Sequence, residues 1–239
     1  MNDGQTQITG ADVLVFQMGK VASKSVQHSL LAGGVKVFHT HRQPQAVSWL
    51  VERRAEGGSP IIITGFRDLL GRNISDFFFN ISNPATKSWF VGDAAFVQTL
   101  TVDQLIAEFD ARHRRNYRTA MRGWLMRFTE ATGVDLFSEP FPHEQGFQVR
   151  ASTPCVAIYR VENLNEAFEP MCRRLGLPDG PLIRRNDAAS HGYADRYRAF
   201  IDAYRPDDDT VAMIYDSPLM RHFYSGAEID RFIAVWRKA

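Results

Sequence analysis

The chain has 239 residues, 44% of them apolar and 23% charged, which is the balance of an ordinary soluble globular protein. Its net charge of +1 argues against an extended polyanion-binding surface but allows a local basic pocket. The polar N-terminus lacks a signal-peptide core, no apolar run reaches the ~20 residues of a membrane span, and only two cysteines are present. These features predict a cytoplasmic protein without a disulfide framework or a membrane span.

The first third of the chain alternates short apolar runs with helical patterns. Strands are predicted at residues 13–16, 35–38 and 60–64, with a helix after each. The third run is apolar on both faces, which is typical of a parallel strand covered by helices. The alternation predicts an α/β fold of three α/β/α layers around a mostly parallel sheet.

The later part of the chain is predicted to be mostly helical. Thr101 with Gln104, and Ser225 with Glu228, have the spacing of capping boxes at helix starts. Further predicted elements are a helix over 115–132, an irregular lid or substrate loop over 134–149, a strand over 154–159, and helices over 163–175 and 193–204. No linker divides the sequence, so a single domain over 1–239 is expected.

The first strand leads through a small polar loop into a helix. The helical pattern places Val26, Leu30 and Leu31 on one face and ends at Gly33 and Gly34. A strand, a loop of small residues and a helix together point backbone N–H groups and a helix dipole at an anion. This stretch is therefore the first candidate for a binding site.

Two lysines, Lys20 and Lys24, lie in that loop. A cation near a helix N-terminus is unfavourable by roughly 0.3–1 kcal/mol. Two such cations predict that an anion, a phosphate-type group of a nucleotide, binds between them. A polar turn with solvated lysines is the alternative.

The loop departs from the Walker A pattern. Lys24 and Ser25 match its Lys-Ser pair, but Met18 and Ser23 stand at its two glycine positions. A shorter loop in which Lys20 reaches the reactive group fits the sequence better.

A second cationic position follows the third strand. Arg67 lies between that strand and the next helix, at the edge where open α/β sheets bind ligands. Ser75 follows on the same helix, about two turns later. A bound anion would offset the unfavourable dipole at Arg67, and an ion pair with Asp68 is the structural alternative.

Two histidines, His39 and His41, close the second strand. Because side chains alternate along a strand, both lie on one face if the strand continues. Histidine is the usual general base for a hydroxyl near neutral pH. A metal site would need more ligands, and no spaced His, Cys or Asp motif supplies them, so no metal is expected. A purely structural pair is the other alternative.

Three motifs together resemble the signature of sulfotransferases that use 3′-phosphoadenosine 5′-phosphosulfate (PAPS). They are KVASKSV, the HTH at the end of the second strand, and FRDLLGRNISDFF. The nearest groups are the heparan sulfate 2-O-sulfotransferases and a bacterial family of capsular polysaccharide synthesis. The resemblance covers about the first third of the chain, with YRVENL (159–164) and HFYSGAEI (222–229) as later patches. Lys24 in place of a common threonine, and Leu69 in place of a proline, depart from the pattern.

The resemblance implies a P-loop NTPase-like sulfotransferase fold with a helical middle insertion. It implies PAPS as donor, adenosine 3′,5′-bisphosphate as product and no metal. The first loop would wrap the 5′-phosphosulfate, with Lys20 as catalytic lysine and His39 or His41 as base. Cofactor contacts would come from Gly19, Lys20, Ala22, Ser23, Lys24 and Ser25, and from Arg67 and Ser75 at the 3′-phosphate.

The implied acceptor is a hydroxyl of a carbohydrate, in polysaccharide biosynthesis, and no nucleic-acid partner is expected. Six arginines of the middle helices either line a groove for an anionic saccharide or, as we favour, form a solvated face: Arg112, Arg114, Arg115, Arg118, Arg122 and Arg127. Two other function classes are a P-loop small-molecule kinase, which needs ATP and Mg²⁺, and a catalytically silent nucleotide- or glycan-binding protein.

Overall fold

The structure, a computed structural model, describes residues 12–82, 94–113, 117–185 and 192–237. In these ranges the protein is α/β, with eleven α-helices and a five-stranded, mostly parallel sheet, which confirms the predicted class. The chain divides into two compact units, Met1–Arg67 with Arg122–Arg185 and Asp68–Met121 with Asn186–Ala239. A single sulfotransferase-like domain stays a prediction. Within the described ranges, no helix has both the length and the apolar character needed to cross a bilayer.

The sheet belongs to the first unit. Its strands, in the order β2-β1-β3-β5-β4, are β1 (Val13–Phe16), β2 (Val37–Thr40), β3 (Ile61–Phe66), β4 (Phe147–Arg150) and β5 (Cys155–Arg160). Only β4 runs antiparallel to its neighbour. Because β2 and β3 pair with opposite edges of β1, the strand order reverses at β1 and β3. Open α/β sheets bind ligands at such a point, beyond the carboxyl ends of the strands.

One face of the sheet packs against α1 (Ser23–Ala32) and α7 (Leu164–Arg174). Alternate side chains of the strands, such as Val15, share a buried cluster with residues of both helices, such as Leu30. Leu31, predicted on the same face as Leu30, is instead 44% exposed. A helix has 3.6 residues per turn, so the side chain of Leu31 lies about 100° around the helix axis from that of Leu30, away from the core.

The opposite face packs against the part of α6 (Tyr117–Thr132) that belongs to the first unit, from Arg122 onward. Phe16 at the end of β1 stacks on Phe128 with ring centroids 5.7 Å apart, and the Trp124 ring lies 5.9 Å away. In addition, α2 (Gln43–Ala55) contacts β1 and β2. The first unit therefore has the predicted helix–sheet–helix layering.

The second unit is helical. Its core includes the rings of Phe77, Phe109 and Phe200, whose centroids lie 5.4–6.2 Å apart. The predicted capping boxes at Thr101 and Ser225 are both present. Its helices are α3 (Leu69–Ile81), α4 (Ala94–Thr99), α5 (Val102–His113), α8 (Ala194–Ala203), α9 (Asp208–Tyr215), α10 (Pro218–Phe223) and α11 (Gly226–Trp236).

Two strand predictions need correction. The second strand begins and ends two residues later than the predicted 35–38, because Val35 still bonds back to Leu30 in the turn after α1. The predicted irregular segment 134–149 ends in β4, a short antiparallel edge strand whose sequence, FQVR, lacks an apolar run. The first change places His39 inside the sheet.

Candidate active site

The carboxyl ends of β1, β2 and β3 bring most of the predicted site residues to one edge of the sheet. The β1–α1 loop, residues 17–22, follows β1, and His39 and His41 lie at the end of β2. Arg67 comes directly after β3. This edge of the first unit is the candidate site.

The β1–α1 loop contains strained backbone. Lys20 and Ala22 have φ angles of 71° and 62°, and they are the non-glycine residues with positive φ in the described part of the chain. Each such residue costs of the order of 1–3 kcal/mol and persists only where its surroundings hold it. Left-handed residues within a turn can direct N–H groups into one concavity, which is a common way to bind an anion.

Helix α1 begins with N–H groups that its own side chains do not cap. Ala22, the N-cap residue, has no side-chain oxygen, and the first intrahelical bond runs from the Val26 N–H to the Ala22 carbonyl. The N–H groups of Ser23, Lys24 and Ser25 therefore have no carbonyl acceptor within the helix. No acidic residue lies in this first turn, so its positive dipole end is available to an anion.

Arg67 and the β1–α1 loop are in direct contact. Nη1 of Arg67, a half-buried residue, donates to the carbonyl oxygen of Lys20 over 3.4 Å. The neighbouring Asp68 carboxylate accepts the Gly71 N–H at 2.8 Å and caps α3. Ser75 lies on α3 in the second unit. A 3′-phosphate shared by Arg67 and Ser75 stays a prediction.

A backbone carbonyl holds the ring of His41, one of the two predicted candidate bases. Its Nδ1 lies 2.5 Å from the backbone oxygen of Gln17. Because a carbonyl oxygen can only accept, Nδ1 carries the hydrogen, and Nε2 of the neutral ring is the proton acceptor. His41 as a residue is exposed.

His39 has a different environment, although its ring lies 4.7 Å from that of His41 at 86°. Burial, and then the positive charges of His41 and Lys24, lower the pKa of His39 to about 3. Its Nε2 is buried and has no hydrogen-bond partner in the described ranges. His39 is therefore neutral at physiological pH.

The other predicted loop residues differ in what they offer a ligand. Ser25 Oγ accepts the Arg185 N–H at 3.0 Å and lies 3.3 Å from the Arg185 carbonyl oxygen, so it fastens a later segment to α1. Ser23 is buried and Lys24 is exposed. A Cβ placed on Gly19 would meet no heavy atom within 4 Å, which leaves space beside the loop.

Sequence reasoning assigned no role to Tyr159, which the structure places against the same loop. Its hydroxyl lies 2.6 Å from the Val21 carbonyl oxygen and 2.9 Å from Oε1 of Gln17. Burial raises the pKa of Tyr159, so the hydroxyl keeps its proton. The one signal in the sequence was the YRVENL segment, which begins with this residue.

The arginine-rich middle helix is only partly described. Arg122 and Arg127 are exposed on α6, as a solvated helix face predicts, and Trp124 is buried in the core. The side chains of the other four arginines, Arg112, Arg114, Arg115 and Arg118, lie outside the described residues.

Across the described ranges, no group of three or more His, Cys, Asp or Glu side chains could hold a metal ion. Comparisons with protein-family models, with curated proteins and with solved structures find no match to this chain. A function is therefore proposed from the geometry of its own residues and from the resemblance of its motifs.

Proposed function

We propose that this protein is a sulfotransferase that moves a sulfuryl group from PAPS to a hydroxyl of a carbohydrate acceptor, on a P-loop-like fold. One observation carries the proposal. The β1–α1 loop, a candidate anion site, begins at Gln17, and the backbone oxygen of Gln17 is bonded to Nδ1 of His41, the candidate base. Sulfuryl transfer to a hydroxyl requires these two functions side by side.

The residues at this edge suit a donor with two anionic ends. Three backbone N–H groups of α1 and the side chains of Lys20 and Lys24 offer donors and positive charge to a 5′-phosphosulfate. Arg67, bonded to the same loop, offers a planar guanidinium to the 3′-phosphate. When bound, PAPS supplies an activated sulfuryl group with adenosine 3′,5′-bisphosphate as its leaving group.

In this reaction the residues of the chain position the reactants, accept a proton and neutralise the negative charge of the leaving group. Nε2 of His41 accepts the acceptor's proton as the hydroxyl oxygen bonds to sulfur, and Lys20 neutralises the 5′-phosphate oxygen as its bond to sulfur breaks. The products are the sulfate ester and adenosine 3′,5′-bisphosphate, with the proton on His41. Such an in-line transfer depends mainly on positioning and electrostatic stabilisation.

The structure favours His41 over His39 as the base. A general base works best when its pKa lies near the operating pH. The pKa of His39, lowered to about 3, makes this residue a weak base, and its Nε2 is buried. His39 instead packs edge-on against His41 and limits the rotation of that ring.

One contact speaks against the kinase alternative. In a P-loop kinase the hydroxyl after the loop lysine binds Mg²⁺. Here that hydroxyl, on Ser25, is bonded to the backbone of Arg185. A catalytically silent binding protein would also need the anion site, but it would not need a histidine held as a base.

Transfer of labelled sulfate from PAPS to a panel of neutral and anionic polysaccharides tests the proposal. We expect Lys20→Ala and His41→Gln to lower kcat about 10²–10⁴-fold, because each removes a group that acts in the transition state. His39→Gln is expected to lose less than His41→Gln. Lys36→Ala, which alters an exposed lysine before β2, is the control and keeps full activity. Full activity of the Lys20 or His41 variant would contradict the assigned roles.

A further inference from the structure

We propose that Tyr159 is a positioning residue whose hydroxyl holds the β1–α1 loop in the shape that binds the 5′-phosphate of the donor. Gln17 extends the same constraint to His41. The inference rests on the proposed function and adds a residue to its machinery. Tyr159 itself touches no reacting atom.

The ring of Tyr159 reaches the loop across the middle of the sheet. In the strand order, β3 lies between β5, which carries Tyr159, and β1. Tyr159 is paired in register with Gly65 of β3, and a Cβ on Gly65 would lie 2.6 Å from the tyrosine ring. The missing side chain at Gly65 is what lets the ring lie over β3 and bring its hydroxyl to the loop.

The hydroxyl joins the two ends of the loop. It lies between the carbonyl oxygen of Val21 and the side-chain amide of Gln17, at 2.6 Å and 2.9 Å. A hydroxyl has one hydrogen, and the Val21 carbonyl can only accept it. Oε1 of Gln17 also can only accept, so both contacts are satisfied together only after a 180° turn of the Gln17 amide. That turn would let Nε2, which is buried without a hydrogen-bond partner in the described ranges, donate to the hydroxyl oxygen. The chain between these ends includes Lys20 in its left-handed conformation, which needs support of this kind.

Gln17 connects the loop to the base. It is fully buried, its side chain meets Tyr159, and its backbone oxygen accepts from Nδ1 of His41. A shift of Gln17 would therefore move the phosphate site and the base together. Misplacement of reacting groups by about 1 Å can cost 10²-fold in rate.

The test is Tyr159→Phe, which keeps the ring over Gly65 and removes only the hydroxyl. Tyr204→Phe is the matched control, since Tyr204 is equally buried and its hydroxyl donates to Asp110 at 2.8 Å in the second unit. Calorimetric titration with adenosine 3′,5′-bisphosphate measures affinity, thermal unfolding measures stability, and labelled PAPS measures kcat. Gln17→Met is a second variant that removes the amide and keeps the length of the side chain.

We expect Tyr159→Phe to weaken bisphosphate binding about 5–10-fold, the range of one lost hydrogen bond, and to lower kcat about 10–100-fold. Gln17→Met is expected to change both in the same direction. Tyr204→Phe lowers the melting temperature to a similar extent but leaves the affinity within twofold.

Two results would overturn the inference, and only the second would also overturn the proposed function. If the wild type binds the bisphosphate and both Tyr159→Phe and Gln17→Met bind it equally well, the positioning role is wrong and the sulfotransferase proposal stands. If the wild type does not bind the bisphosphate, both proposals fail.

Discussion

His39 and His41 show how two identical side chains two residues apart acquire different chemistry. His41 is exposed and bonded through Nδ1 to a backbone carbonyl, whereas burial keeps the ring of His39 neutral. The low pKa of His39 makes the free energy of unfolding depend on pH. This dependence can be measured apart from activity.

The folded-state pKa of His39, about 3, lies below its ordinary value of 6.5. Below pH 6.5 the unfolded chain therefore binds a proton that the folded chain does not. The stabilisation is fully present above pH 6.5 and is lost as the pH falls toward 3, by up to about 1.4 kcal/mol per pH unit.

Urea unfolding between pH 7 and pH 4 measures this effect. We expect the free energy of unfolding of His39→Gln to fall less steeply with decreasing pH than that of the wild type. His28→Gln, at an exposed position of α1, serves as control and keeps the wild-type slope. Equal slopes for His39→Gln and the wild type would show that His39 is not held neutral by burial.

At the scale of elements, the segment 134–146 before β4 is anchored rather than loose. The guanidinium of Arg150, 5% exposed, donates to the Leu136 carbonyl at 2.7 Å and the Ser138 hydroxyl at 2.9 Å. It also donates to the carbonyl oxygens of Asp135 and Glu139. A lid role for this segment stays a prediction, and any opening would have to break these bonds.

Replacing Arg150 by Met tests that anchor. The change keeps an apolar stem and removes the donors, so we expect a loss of about 2–4 kcal/mol in the free energy of unfolding. Amide hydrogen exchange in 134–146 should accelerate more than in α7. Arg127→Met, at an exposed position of α6, is the control. Unchanged exchange in the segment would mean that other contacts hold it.

Elements with a strong local signal were predictable. Four consecutive apolar residues defined β1, the glycines after α1 marked its end, and both capping boxes formed as their spacing indicates. Strand β4 was missed because an edge strand with one neighbour needs little apolar character. Strand β2 was misplaced by two residues because the turn after α1 continues its hydrogen bonds through Val35.

At the scale of the whole chain, the α/β class and the parallel sheet followed from alternating strand and helix patterns. The same pattern placed Lys20, His39 and Arg67 after parallel strands, and their meeting at one edge follows from that topology. Contacts between distant segments could not be predicted, since no local pattern shows that Tyr159 reaches Val21 or that Arg185 binds Ser25.

The proposed function requires this edge of the sheet to bind a nucleotide with both a 5′-phosphate and a 3′-phosphate. The most direct test is the thermal stabilisation produced by adenosine 3′,5′-bisphosphate, by ADP, and by ATP with Mg²⁺. A ligand at 100 times its Kd adds about 2.7 kcal/mol to the free energy of unfolding, which is a clear shift in Tm.

We expect a shift with the bisphosphate and little with ADP. Arg67→Ala should reduce this shift, because it removes a charge-assisted contact to the 3′-phosphate, while the exposed control Arg122→Ala retains it. A shift with ATP and Mg²⁺ alone would contradict the sulfotransferase proposal and favour a kinase. No shift with any of the three nucleotides would contradict nucleotide binding at this site.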